Sequence, residues 1–219
     1  NWKKNIYKKM YKNIYKNLVL SIYKNNIYVA DNIGFIYAIN FDSGKLVWIK
    51  NYSIPLKSNI KIFDSKIYLM DQNNRIFSLN IKDGSKIWDI LTISSFIKSQ
   101  NLLTLAVSKN GDLLALNSSA DLYRIDANSG DVYWSSNTLG SILPDATDFF
   151  VSSGIVISDG EIIFSAGSSF FSYDLNIGSV NWENKVSSIG TPIIDGDNIF
   201  FITENGYFII MNKDTGKII

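Results

Sequence analysis

Carboxylates, hydroxyls and cationic side chains are the groups through which this 219-residue sequence could do chemistry, because it contains no histidine and no cysteine. That removes the commonest general base, the Ser-His-Asp arrangement, thiolate nucleophiles, thiolate metal sites and disulfides. The glutamates Glu161, Glu183 and Glu204 stand far apart in sequence, and none pairs recognisably with another acid. Asp42, Asp83, Asp126 and Asp214 lie in or beside glycine-containing turns, where aspartate caps its own backbone. No stretch shows the calcium-loop spacing or a glycine-rich phosphate loop. Ser118-Ser119 and the serines of 165–169 lack a histidine to activate them, so they read as small turn residues. Lys3, Lys4, Lys8, Lys9, Lys12, Lys16 and Lys24 form a basic run, but the formal charge of the chain is only +1. The run reads as a solvated lysine face, and the overall balance argues against a nucleic-acid partner.

The elements that would position such groups repeat. Tyr37–Trp48, Phe77–Trp88, Tyr123–Trp134 and Phe171–Trp182 each run from alternating apolar residues into a turn, a glycine and then a tryptophan four residues later. A fifth copy, Ile209–Ile219, has the glycine and stops one residue before its tryptophan. The glycines at 44, 84, 130, 178 and 216 are 40, 46, 48 and 38 residues apart, the period of a four-stranded propeller blade. The expected fold is therefore an all-β propeller of four-stranded antiparallel blades, with about five blades present. One domain over 1–219 is expected, with blades at roughly 5–50, 51–90, 91–136, 137–184 and 185–219.

In the first unit, period-two alternation and turn residues predict strands over 18–23, 26–31, 34–40 and 45–50. Asp159-Gly160, Asp195-Gly196 and Asn205-Gly206 are hairpin signals, while 90–100 and 137–153 are the longer connections. Gly44, Gly84, Gly130, Gly178 and Gly216 suit a left-handed turn position that a Cβ would penalise by roughly 1 kcal/mol. Trp48, Trp88, Trp134 and Trp182 are expected to be buried at equivalent outer-strand positions, each wedged against the glycine turn of the next blade. Trp2 reads as the anchor of a preceding blade, so the chain is expected to be a piece of a larger ring. No apolar run reaches the roughly 18 residues of a membrane span.

The unit Ala38-Ile-Asn40-Phe-Asp42-Ser-Gly44-Lys-Leu-Val-Trp48 resembles the repeat of the pyrroloquinoline-quinone-like (PQQ-like) propellers. Over nearly the whole chain, and most tellingly in 67–79 and 163–175, the sequence is most similar to the BamB branch, the outer-membrane protein assembly factors. The resemblance implies an eight-bladed ring, no cofactor, and a non-enzymatic periplasmic scaffold tethered by lipid to the outer membrane. Its implied partners are the periplasmic domains of the assembly complex's central barrel protein (BamA-like) and unfolded outer-membrane clients. The family docks through a loop before the blade that here starts near Leu18. That assigns contact to Lys12, Tyr15 and Lys16, although 13–17 lacks the acids of the family pattern. Two other readings compete: a PQQ-dependent quinoprotein dehydrogenase, whose adjacent cysteine pair is missing here, and a propeller sensor or adaptor domain.

Overall fold

The computed structural model describes residues 2–7, 9–11, 13–93, 102–139 and 151–219. Among them the regular structure is β-strand apart from one 3-10 turn, Lys9–Tyr11. The first sheet contains β1 (Leu18–Tyr23), β2 (Asn26–Asp31), β3 (Phe35–Asn40) and β4 (Leu46–Asn51). The second contains β5 (Lys61–Phe63), β6 (Lys66–Met70), β7 (Arg75–Asn80) and β8 (Lys86–Leu91). The third contains β9 (Thr104–Val107), β10 (Asp112–Leu116), β11 (Asp121–Asp126) and β12 (Val132–Asn137). The fourth contains β13 (Val156–Ser158), β14 (Glu161–Ala166), β15 (Ser169–Asp174) and β16 (Val180–Asn184). The fifth has β17 (Ile193–Asp195), β18 (Asn198–Ile202) and β19 (Phe208–Asn212).

Every sheet is an antiparallel meander in sequence order, which is the blade plan. In the first blade the third strand starts at Phe35, one residue later than expected, because Gly34 (φ +99°) still belongs to the turn. The fourth starts at Leu46 because the Lys45 carbonyl accepts the Asn40 amide at 2.9 Å, closing the preceding turn. The fifth sheet has three strands. Its outer position holds only a bridge between Met211 and Ile218 and the Ile219 amide bonded to Ile210. Of the longer connections, 94–101 and 140–150 lie outside the described residues.

The first strands of successive blades approach one another, β1 with β5, β5 with β9 and β9 with β13, so they line the inside of an arc. The core is divided among the junctions. Ala38 and Trp48 pack with Ile67 and Leu79, Tyr68 and Ile76 with Leu113 and Ile125, Leu114 and Leu122 with Phe164 and Tyr173, and Phe170 with Phe201 and Met211. Strands buried on both faces between neighbours explain the near-continuous apolar runs of β6, β10 and β14.

One turn recurs five times. The carbonyls of Asn40, Asn80, Asp126, Asp174 and Asn212 accept the amides of the glycines four residues later, at 2.8 to 2.9 Å. Their side-chain oxygens accept amides inside the turn, from Ser43, Lys82, Ser129, Ile177 and Thr215 at 2.9 to 3.0 Å. The capping acid or amide therefore sits four residues before the glycine. Of the turn aspartates singled out in the sequence, Asp126 is such a cap, Asp83 accepts Ser85, and Asp42 and Asp214 make no hydrogen bond among the described residues. The Ser129 amide and the Tyr133 hydroxyl hold the Asp126 carboxyl below its ordinary pKa.

Candidate functional site

The recurring tryptophans and glycines meet across every blade junction. A Cβ built on Gly44, Gly84, Gly130, Gly178 or Gly216 would fall 2.5 to 2.9 Å from the indole of Trp2, Trp48, Trp88, Trp134 or Trp182 respectively. Each indole N–H donates to the carbonyl three residues before that glycine: Phe41, Ile81, Ala127, Leu175 and Lys213, at 2.7 to 3.1 Å. Ring face and N–H are both committed to the neighbouring blade, so these residues set the angle between blades. Trp48 is buried, whereas Trp88, Trp134 and Trp182 are half-buried, correcting the expectation of full burial. The strand carrying each ring is the outermost of its blade, so one edge of the indole faces solvent.

Polar links reinforce the junctions. Tyr52 donates to Gly84 O at 2.7 Å, stacks on Phe77, and is pushed up to about 12 by burial. Arg124 binds Asp112 at 2.8 Å, lies over the Tyr133 ring and reaches Asn176 O on the next blade. Lys213 reaches back to Asp159 at 2.8 Å. The three glutamates do not converge. Glu183 pairs with Lys185 and accepts Ser169, Glu204 is exposed, and Glu161 is tucked at the junction of blades four and five with Oε2 unpartnered. Desolvation raises the Glu161 pKa. Among the described residues no group of acids could hold a metal ion.

The three sequence-assigned docking residues fare differently. Lys12 lies outside the described residues. Tyr15 is 83% exposed in the loop entering β1, and Ile14 and Met10 of the same segment are exposed too. Lys16 turns inward, donating to the Tyr11 carbonyl with its ammonium 5.1 Å from the centre of the Tyr7 ring. The loop is pinned by Asn32, which sequence reasoning missed. Its Oδ1 accepts the Asn17 amide at 2.8 Å and its Nδ2 donates to Tyr15 O at 3.1 Å. The signal available was an asparagine following Asp31 in a turn. Tyr7 adds a second pin by donating to Asp31 Oδ2 at 2.7 Å; burial, and then that carboxylate, push its pKa upward. Tyr15 is thus exposed on a loop pinned by Asn32.

The sequence matches the family model described as outer membrane protein assembly factor BamB over residues 9–219. The chain belongs to the BamB family. Among solved structures it is similar to BamB from Moraxella catarrhalis, with a TM-score of 0.80 and 14% identity, covering 92% of this chain and 62% of that one. It therefore spans about three-fifths of that BamB. The same fold appears in a europium-containing methanol dehydrogenase, with a TM-score of 0.73, 11% identity, and 94% and 52% coverage. It also appears in a quinohemoprotein alcohol dehydrogenase from Comamonas testosteroni, with a TM-score of 0.70, 13% identity, and 92% and 42% coverage. No curated protein sequence gives a significant match. At these identities the structural likenesses establish the propeller, which is the fold read from the repeat. In this BamB-family chain, no helix among the described residues is long and apolar enough to cross a membrane.

Proposed function

We propose that this chain is a non-enzymatic scaffold of the machinery that assembles β-barrel proteins in the outer membrane. It works at the periplasmic face of that membrane, holding the periplasmic domains of a BamA-like barrel protein and assisting delivery of outer-membrane clients. The observation that carries this reading is the match to the BamB family over residues 9–219. The site chemistry supports it: each recurring tryptophan is spent on a blade junction, and the glutamates do not form a paired acid and base. A propeller used in this way presents loops on a rigid frame, where binding residues gather. Lys12, Tyr15 and Lys16 are the proposed contact residues, Tyr15 making the contact directly and Lys16 fixing the loop.

The test is a binding titration of the purified periplasmic domains of the barrel protein against the chain and its Tyr15→Ala variant. A large exposed aromatic at an interface centre is worth about 2 kcal/mol or more, so Tyr15→Ala should weaken binding roughly 30-fold without lowering the unfolding midpoint. Binding that ignores Tyr15 would remove the proposed surface, and absence of binding would remove the scaffold reading. The structural likeness to the two dehydrogenases favours a second reading, an enzyme that holds pyrroloquinoline quinone. Saturable quinone binding in the presence of calcium, with alcohol-dependent dye reduction, would establish that alternative.

A further inference from the structure

The inner wall of the arc carries an uncompensated charge. Among the described residues β1, β5, β9 and β13, the innermost strands of the first four blades, contain one charged side chain, Lys61. Alternation along β5 sets Ile62 into the junction of the first two blades and Phe63 into that of the second and third, so Lys61 shares the Phe63 side, facing β9. The strand it faces, β9, holds Thr104, Leu105, Ala106 and Val107, which offer no carboxylate. Tyr68, its partner across the sheet, has its hydroxyl committed to Ala127 O at 3.0 Å. Asn59, two residues earlier on the same side, is used up by donating to and accepting from Leu105, at 3.1 and 2.9 Å. The Lys61 ammonium makes no hydrogen bond or ion pair among the described residues, unlike those of Lys4, Lys66, Lys86, Lys185 and Lys213.

We propose that Lys61 is an anchor for an acidic side chain, the carboxylate of an Asp or Glu on a protein segment that enters the inner side of the arc. A half-buried ammonium that finds no partner among the described residues pays desolvation and receives nothing for it, while a carboxylate brought to it forms a charge-assisted bond beside the apolar junction that holds Phe63, Leu105 and Val107. The stoichiometry selects the carboxylate: one ammonium neutralises one carboxylate, whereas a phosphate dianion would leave a charge stranded in the same apolar surroundings. The lowering of the Lys61 pKa by desolvation agrees with an ammonium that lacks a counter-charge. This inference does not depend on which protein the scaffold holds.

The experiment follows lysine side chains by NMR in the chain labelled with carbon-13 at lysine Cε, assigning Lys61 with Lys61→Met. The probes are the capped tripeptides Val-Glu-Val and Val-Gln-Val, and inorganic phosphate, at matched ionic strength. The Glu peptide should raise the Lys61 midpoint by about 0.5 pH unit and leave Lys82 and Lys217 unchanged, because an adjacent opposite charge favours the ammonium. The Gln peptide should do nothing, and Lys61→Met should abolish the binding-induced shifts while unfolding no earlier than the parent. A Lys61 midpoint that ignores the Glu peptide, that moves equally with the Gln peptide, or that moves more with phosphate would overturn the carboxylate anchor.

Discussion

Replacing Gly178 by alanine tests whether the blades are held at their angle by the indole-on-glycine contact, and Gly160→Ala supplies the control. Both glycines are left-handed, with φ of +76° and +82°. Both substitutions therefore carry the same backbone penalty, about 1 kcal/mol. They differ in what the new methyl meets. At Gly160 nothing lies within 4 Å, whereas at Gly178 the Cβ would sit 2.6 Å from Trp134 Cδ2 and 2.7 Å from Cε3. Those atoms are the fused heart of the ring and cannot swing away as a flexible chain end could, so the whole indole must retreat. Overpacking of this kind costs about 1 to 3 kcal/mol. Retreat also stretches the 3.0 Å bond from Trp134 to Leu175 O, worth about 1 kcal/mol. Gly178→Ala should thus lose about 3 to 5 kcal/mol and Gly160→Ala about 1, a difference of roughly 2 to 4. Urea unfolding followed by tryptophan fluorescence measures both. Equal losses within about 0.5 kcal/mol would refute the claim that the contact, and not the turn conformation, requires glycine.

Two further outcomes are expected. Trp88→Ala should cost about 3 kcal/mol, the low end for a large aromatic truncation because the ring is half-buried, and a urea titration showing a loss below about 1 would place its contacts outside the stabilising core. Glu161 has a folded pKa above its ordinary value of 4.5, so the folded state binds its proton more tightly than the unfolded state. Its contribution is then most favourable in acid and is lost as pH rises from about 4.5 through the raised folded value. Glu161→Gln should flatten that part of the stability profile and gain about 1 kcal/mol at neutral pH by replacing a desolvated carboxylate with a neutral amide, as pH-resolved urea unfolding would show.

The blade plan was legible in the sequence because each of its elements is local. Alternation over 18–23 and 26–31 gave the first two strands with the bounds observed, and the spacing of Gly44, Gly84, Gly130, Gly178 and Gly216 gave the period. A turn that needs positive φ and a cap within four residues is written in adjacent positions, so repetition makes it unmistakable. The capping residues were harder to read: aspartates beside the glycine look like caps, yet the bond geometry selects the position four residues earlier, occupied three times by asparagine and twice by aspartate.

Long-range placement decided the rest. Lys16 is one of seven lysines in a basic run, and only the fold turns its ammonium onto the Tyr11 carbonyl and the Tyr7 ring while leaving Tyr15 outside. Asn32 pins the loop entering β1 across fifteen residues, a contact invisible to any local pattern. Lys61 reads as one polar residue in an alternating strand, but the convergence of β1, β5, β9 and β13 makes it the one charged residue among those four inner strands. The repeat fixed the strands because their chemistry is set by neighbours in sequence. The candidate sites depend on the charges and surfaces that meet when separate blades pack, and that is decided only in three dimensions.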